Sequence, residues 1–285
     1  MNIDSHQHFW KFNTAEYGWI NEEMRVLRGD FLPWDFEDEL RSIGFDGSIA
    51  VQARQSTEET RWLLELADQN AFIKGIVGWV DLRSRGVAQQ LAAFSRNKKF
   101  VGVRHVVQDE PDGDFMLRSE FTNGLRCVQE HDLAYDILIY PRQLPAAIKL
   151  AARFPEMRFV LDHMAKPMIK KKILSPWKEE IVELSTFPNV FCKVSGMVTE
   201  ADWQHWRYDD FIPYLDTVFE MFGVERILIG SDWPVCTLTG SYQKVMSVAL
   251  EYLKKYPSEA RRAILGGNAV RAYSLSAWQA AEERF

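Results

Sequence analysis

The sequence predicts an α/β protein built as a single parallel (β/α)8 barrel. Eight mostly apolar segments of strand length recur about every 25 to 35 residues, which is the length of one strand-loop-helix unit. A segment with the helical spacing of apolar residues follows seven of them within one connection, and the first is followed by an irregular segment and then a helix. The length of 285 residues suits one such barrel. We therefore expect one domain over residues 1–285.

The predicted strands are apolar without strict alternation, as expected when helices cover one face and a packed barrel interior covers the other. They lie within residues 1–10 and at 48–54, 73–80, 100–107, 134–140, 158–162, 190–195 and 226–230. Helical patterns lie at 35–43, after the capping pattern that begins at Ser56, at 87–94, 121–130 and 144–153, after Pro176, and at 211–222 and 242–254.

Two segments fall outside this repeat. Residues 9–33 are irregular and rich in aromatic side chains, and they follow the first strand. A long structured loop in that position belongs on the catalytic face, so we expect it to form a lid over the barrel mouth. Residues 259–285 are helical in composition, and we expect this C-terminal extension to pack on the outside or the base of the barrel.

Composition excludes several classes of function. The chain carries 34 basic and 40 acidic residues, a formal charge of −6, and its longest basic run is Lys170–Lys172, so nucleic acid is not an expected partner. An apolar run of the roughly 18 residues that a membrane span needs is missing, as is the pattern of an export signal. Three widely spaced cysteines suit free thiols in a reducing compartment. We expect a cytoplasmic protein without a membrane partner, and leave a homo-oligomer open.

Four side chains at predicted strand ends form the candidate catalytic group. His6 and His8 share one face of the first strand because side chains alternate along a strand. His163 ends the sixth strand and Asp232 the eighth, and the C-terminal ends of barrel strands converge on one face. Three imidazoles and a carboxylate can hold a divalent ion such as zinc or manganese and leave a position for water. Asp232 is the candidate general base.

Other residues near the strand ends are candidates for binding the substrate. A basic neighbourhood could stabilise an oxyanion or hold a carboxylate, although the two arginines could also form salt bridges at the rim. Tryptophan faces suit a polyhydroxylated ring, although each could also be ordinary core packing. The candidates are Arg54, Arg104, His105, Trp79, Tyr140, Lys166 and Trp233, with Trp10 as a further aromatic face.

Several motifs together resemble the amidohydrolase superfamily, and more narrowly its sugar-lactonase branch of L-fuconolactonase-like and L-rhamnonolactonase-like enzymes. The likeness runs from Met1 to about Leu275. The motifs are His6-x-His8, the runs 161–167 and 230–234 that carry His163 and Asp232, and the stretches 51–55, 78–82, 102–108 and 140–143.

The resemblance implies a carboxylic-ester hydrolase that opens the cyclic ester of an aldonic acid, with a small sugar lactone as substrate. By position, His6, His8, His163 and Asp232 are the family's metal-binding or carbonyl-polarising group with its base. Tyr140 stands where binuclear relatives carry a histidine, and none of the lysines clearly replaces their carbamylated one, which argues against a two-metal site. We expect one divalent ion, zinc, while a metal-independent route with carbonyl polarisation by histidine and arginine stays open.

Two alternatives remain at this point. The same ligand set could serve a metal-dependent decarboxylase, or a pyrone or amide hydrolase, of the same superfamily. The chain could also be a non-catalytic barrel that binds a sugar acid. The intact set of His6, His8, His163 and Asp232 argues against the second alternative.

Overall fold

The computed structural model describes residues 1–275, and in them eight parallel strands form one sheet in chain order. Strands β1 to β8 are Ile3–Gln7, Gly47–Val51, Ile73–Gly78, Phe100–His105, Ala134–Ile137, Phe159–Leu161, Val190–Val194 and Ile227–Ile229. Each strand pairs with the next in parallel register. Helices lie between the strands, so the predicted (β/α)8 barrel is confirmed.

The barrel closes between β1 and the segment that follows β8. The Asp232 amide donates to the His6 carbonyl at 2.8 Å, and the His8 amide donates to the Trp233 carbonyl at 2.7 Å. Gln7 and Trp233 form an isolated parallel bridge at the same place. The seam of the barrel is therefore made by segments that carry three of the four candidate catalytic residues.

Helices cover the outer face of the sheet. The Ser56 side chain accepts hydrogen bonds from the amides of Glu58 and Glu59, as the capping pattern predicts. Helices α1 to α10 are Pro33–Ser42, Thr57–Gln69, Val87–Phe94, Ser119–Glu130, Leu144–Arg153, Trp177–Ser185, Ile212–Phe222, Tyr242–Tyr252, Ser258–Arg262 and Asn268–Ala272.

The segment from Phe9 to Leu32 lies between β1 and α1. Trp10 and Phe31 exchange backbone hydrogen bonds of 3.0 and 2.9 Å, which ties the two ends of this segment together. Between them, Trp10, Tyr17, Ile20 and Leu27 form a small apolar cluster, and all four are buried. The segment thus has its own core, and a 3-10 helix at Glu22–Leu27 completes it.

The C-terminal segment closes the opposite end of the barrel. Ala269, Val270 and Tyr273 pack with Ile3 and Leu228 in an apolar cluster, which we call the base cluster. Its remaining buried members are Ile49, Val51, Val77, Val101, Ala134, Val160, Ala272 and Leu275. The rest of the predicted extension, residues 276–285, lies outside the described residues.

Within residues 1–275, every helix is too short or too polar to cross a lipid bilayer. Cys127, Cys192 and Cys236 are free thiols.

Candidate active site

His6, His8 and Asp232 meet at the carboxyl end of the barrel. The Nε2 atoms of His6 and His8 lie 3.2 Å apart, and Asp232 Oδ1 lies 3.2 Å from His8 Nε2 and 3.7 Å from His6 Nε2. All three side chains are buried. The backbone of Asp232 is left-handed, with φ of 61°, which is unusual for a residue other than glycine. The geometry brings together the residues that the sequence predicts.

His163 joins this group from a strained turn after β6. Four consecutive residues other than glycine, from His163 to Lys166, have φ between 51° and 58°. Such backbone costs about 1–2 kcal/mol per residue, and strain of this kind concentrates at functional sites. The turn places the His163 ring 4.4 Å from the His6 ring between centroids, and His163 Nδ1 lies 3.0 Å from Ser195 Oγ.

The electrostatics favour neutral imidazoles around an ionised carboxylate. Burial lowers the pKa of His163 to about 4 and lowers the pKa of His6 well below its ordinary value. Burial alone would raise the pKa of Asp232, but its interaction with His163 and the hydrogen bond with His8 outweigh burial and lower that pKa. These are the protonation states that metal ligands require.

The donor set itself fits a cation. His8 Nδ1 donates to the Val51 carbonyl at 2.7 Å, which leaves His8 Nε2 to face Asp232 Oδ1 at 3.2 Å. A proton or a metal ion between these two atoms satisfies both of them. His6, His8 and Asp232 each offer a ligand atom within 4.8 Å of the others, and His6 belongs to a second such group with Asp162 and His163.

A cavity of about 620 Å³ opens above this group. His8, His163 and Asp232 line it, and so do four of the predicted substrate-binding residues, namely Arg54, Arg104, Tyr140 and Lys166. Both arginines also form ion pairs, Arg54 with Glu16 at 2.5 Å and Arg104 with Asp162 at 2.9 Å. Lys166 is less tightly held, with its Nζ 4.0 Å from Glu200 Oε1 and 5.4 Å from the Tyr140 ring centroid.

Three predicted substrate-binding residues, His105, Trp79 and Trp233, are not among the residues that line this cavity. His105 follows Arg104 in β4, so the two side chains point to opposite faces, and His105 lies against Phe115 and Glu110. Trp79 is next to it, with its indole nitrogen 3.4 Å from His105 Nδ1.

Trp233 instead stacks on Phe36 of α1, with ring centroids 4.7 Å apart. Trp10 is buried within the 9–33 segment, where its ring contacts the Trp19 ring edge to face. Both side chains therefore serve packing, as the alternative reading of the sequence allows.

Two groups of lining residues differ in polarity. The apolar group comes from the 9–33 segment and from the loops after β2 and β8; we call it the apolar wall, and it consists of Trp19, Met24, Ala53, Val235 and Leu238, with the polar Arg54 and Gln55 beside it. The polar group comes from the loops after β4 to β7; we call it the polar wall, and it consists of Gln108, Asp109, Tyr140, Lys166 and Glu200, with the apolar Val106, Leu138 and Trp203 among them.

Sequence reasoning missed Trp203 and Glu200, which line the cavity from the loop after β7. That loop has no motif of its own, and only its position after a barrel strand could have drawn attention to it. Trp19 lies in the predicted lid, but the sequence did not single it out as the aromatic side chain that reaches the cavity.

The comparison with protein families decides the classification. The amidohydrolase family matches residues 3–275 of this chain. The chain belongs to the amidohydrolase family.

Its relatives are similar over nearly their whole length. A protein named L-fucono-1,5-lactonase from Burkholderia multivorans is 40% identical over 286 residues, which cover 96% of each chain. A protein of the same name from Burkholderia ambifaria is 35% identical over 282 residues, again with 96% of each chain covered. A crystal structure of an amidohydrolase from Burkholderia multivorans with bound zinc superposes with a TM-score of 0.93 at 40% identity, covering 96% of this chain and 99% of that one.

Proposed function

We propose that this amidohydrolase opens L-fucono-1,5-lactone or a sugar lactone that differs little from it. The enzyme is a lactone hydrolase, as its relatives named L-fucono-1,5-lactonase support over 96% of both chains. The observation that carries the proposal is the meeting of His6, His8 and Asp232 at the cavity floor in a chain 40% identical to such an enzyme. The decarboxylase, the pyrone or amide hydrolase and the non-catalytic barrel are not favoured by these relatives.

We further propose that His6, His8, His163 and Asp232 hold one zinc ion. The support is the convergence of His6, His8 and Asp232, the His163 ring that lies beside His6, and the zinc in the related crystal structure. When bound, a zinc ion supplies Lewis acidity, which polarises a carbonyl and lowers the pKa of a water molecule to about 7.

Asp232 is the group that moves the proton. Its lowered pKa keeps the carboxylate ionised at neutral pH, so it can accept a proton from water as the oxygen attacks the lactone carbonyl carbon. The ring C–O bond then breaks, and the proton passes to the leaving alkoxide oxygen. The product is the open hydroxy acid, and one water molecule is consumed for each lactone.

Cations beside the attacked carbonyl can stabilise the oxyanion that forms during attack. Arg104 presents its guanidinium at the cavity wall, with NH1 3.2 Å from His6 Nε2, but Asp162 already compensates its charge. Lys166 is freer, because its contact with Glu200 is 4.0 Å long. We assign Lys166 to the substrate and Arg104 to the support of the histidines.

The division of the cavity walls suits a deoxy sugar. The polar wall offers donors and acceptors to ring hydroxyls, while the apolar wall can bury a methyl group. L-Fucono-1,5-lactone carries a methyl group where L-galactono-1,5-lactone carries a hydroxymethyl group. Desolvating that additional hydroxyl against Met24, Val235 and Leu238 should disfavour the galactono substrate.

The test compares hydrolysis of the two lactones by a pH indicator after subtraction of the spontaneous rate. We expect kcat/KM for the L-fucono lactone to exceed that for the L-galactono lactone by about tenfold to a hundredfold. Leu238→Ser should shrink this ratio, whereas Gln108→Ala on the polar wall should lower both values alike. Turnover of neither lactone would overturn the proposed function, and equal turnover would overturn the role of the apolar wall.

A further inference from the structure

The barrel interior below His6 contains four buried charged groups that the proposed reaction does not use. Lys193 on β7 lies between two carboxylates, with its Nζ 2.5 Å from Asp136 Oδ2 and 3.0 Å from Asp162 Oδ1. Asp162 also pairs with Arg104 at 2.9 Å. Three of the four are fully buried, and Arg104 is only 3% exposed.

Packing alone does not account for this cluster. Moving ions out of water costs several kcal/mol each, and well-packed apolar side chains often replace a buried ion pair without loss of stability. The base cluster fills the next part of the same barrel with apolar side chains. The charges therefore point to a role in the site above them.

The contact that connects the cluster to the site is His6 Nδ1. This atom lies 3.2 Å from Asp162 Oδ1, a buried oxygen that makes no hydrogen bond as the side chains stand, and 3.3 Å from Lys193 Nζ. A carboxylate can only accept and an ammonium can only donate, so the two neighbours favour opposite tautomers of the ring. With the proton on Nδ1, the lone pair of Nε2 faces His8, Asp232 and Arg104 NH1, which lies 3.2 Å away and can only donate. With the proton on Nε2 that lone pair is lost.

We propose that Asp162 is a positioning residue that holds His6 in the tautomer with a proton on Nδ1, and thereby makes His6 a metal ligand. The inference rests on the proposed metal site, and it assigns Asp162 a role through His6 rather than contact with substrate. Carboxylates that accept from a ligating histidine orient the ring in this way in metal sites generally.

We infer that Asp136 and Tyr273 limit donation from the Lys193 ammonium to His6 Nδ1, which would favour the other tautomer. Asp136 holds the ammonium at 2.5 Å, closer than either of its other partners. The Tyr273 hydroxyl donates to both oxygens of Asp136, at 3.0 and 2.8 Å, and so fixes that carboxylate from the C-terminal segment. Asp136 touches Lys193 but has no contact with His6, so it serves as a control for charge.

The test measures zinc affinity by competition with a chelator, with zinc alone as the probe. Asp162→Asn should weaken zinc binding by about tenfold to a hundredfold, because Lys193 can then donate to His6 Nδ1. Lys193→Met should leave the affinity within about twofold, and Asp162→Asn combined with Lys193→Met should recover most of the loss. Asp136→Asn removes the same charge without touching His6, so it should weaken binding much less than Asp162→Asn.

Equal losses for Asp136→Asn and Asp162→Asn would overturn the proposal in favour of a general effect of charge. A double variant that binds no better than Asp162→Asn would overturn it as well.

A second measurement needs no variant. Nitrogen NMR of the zinc-free protein, labelled at its six histidines, reports the tautomer of His6 directly once that signal is assigned with His6→Gln. A proton on Nδ1 is expected, and a proton on Nε2 would overturn the proposal. A wild-type protein that binds zinc but opens neither lactone would overturn the proposed function and leave this inference standing. A protein that opens lactones without binding zinc would overturn this inference and leave the proposed function standing.

Discussion

The two ends of the barrel are closed by different chemistry. At the base, the C-terminal segment brings Ala269, Val270 and Tyr273 against apolar strand residues, and Tyr273 alone of these three reaches charged groups, Asp136 through its hydroxyl and Lys193 over its ring. At the mouth, the buried His6 and His8 lie close to His163 and Asp232, and the last two have left-handed backbone. Apolar packing stabilises a fold and buried charge opposes it. The comparison indicates that the base supports the fold and that the mouth gives up stability for chemistry.

The largest effect should come from Asp232→Asn. The amide cannot take up the proton of the attacking water, and we expect kcat to fall by about 10²–10⁴-fold. The thermal midpoint should stay close to the wild-type value, because the amide keeps the shape of the side chain. Asp109→Asn, in the polar wall, is the matched control and should lose far less. A variant that retains most of its turnover would contradict the assignment of the base.

A variant of Glu59 should show how much unfolding free energy the protein loses by burying this carboxylate at the mouth. Glu59 lies under the 9–33 segment, accepts from the amides of Ala53 and Arg54, and burial raises its pKa to about 7. A raised pKa means that the folded state binds the proton more tightly, so stability is full below about pH 4.5 and is lost as the pH rises through 7.

Glu59→Gln should remove this loss. When urea unfolding is measured at pH 5 and at pH 8, the unfolding free energy of the wild type should fall by up to about 3 kcal/mol more than that of the variant. The same pH dependence in both proteins would show that Glu59 is not the source of that cost.

Gly196→Ala should disturb the mouth through a single atom. Gly196 has φ of +59°, and an added Cβ would lie 2.5 Å from His163 Nδ1. We expect the His163 ring to shift and kcat to fall by about tenfold to a hundredfold. Gly44→Ala is the control, because its φ is +81° and its Cβ would meet nothing within 4 Å. If both variants lose activity equally, backbone strain and not the contact with His163 is responsible.

Ile49→Val in the base cluster should have the smallest effect. Loss of one buried methylene costs about 0.5–1.5 kcal/mol of unfolding free energy. Because the base does not contact the cavity, kcat/KM for the folded enzyme should equal the wild-type value. A change in kcat/KM larger than the change in the folded fraction would show that the base also affects the chemistry at the mouth.

The sequence predicts that the four candidate catalytic residues meet, because their positions follow from the fold. His6, His8, His163 and Asp232 each stand at a strand end, and strand ends of a parallel barrel converge whatever the details of the loops. The aromatic and cationic candidates depend on finer features. Arg104 and His105 are neighbours on one strand, so only one of them can face inward, and composition does not say which.

Loop residues are harder still. Glu200 and Trp203 reach the cavity because the loop after β7 folds back over the mouth, a path set by tertiary packing rather than by local pattern. Trp233 directly follows Asp232 in sequence, yet its ring stacks on Phe36 of α1. Whether a residue lines the cavity therefore depends more on the direction of its side chain than on its distance in sequence from a candidate catalytic residue.

The proposal on which the others depend is that a single metal ion, held by the histidines and Asp232, acts at the mouth. The most direct measurement is titration of the chelator-stripped protein with zinc while lactone hydrolysis and bound zinc are followed together. The account predicts that stripped protein is inactive and that activity rises in proportion to zinc up to one ion per chain. Full activity in protein that holds almost no metal, unchanged by added zinc, would contradict it.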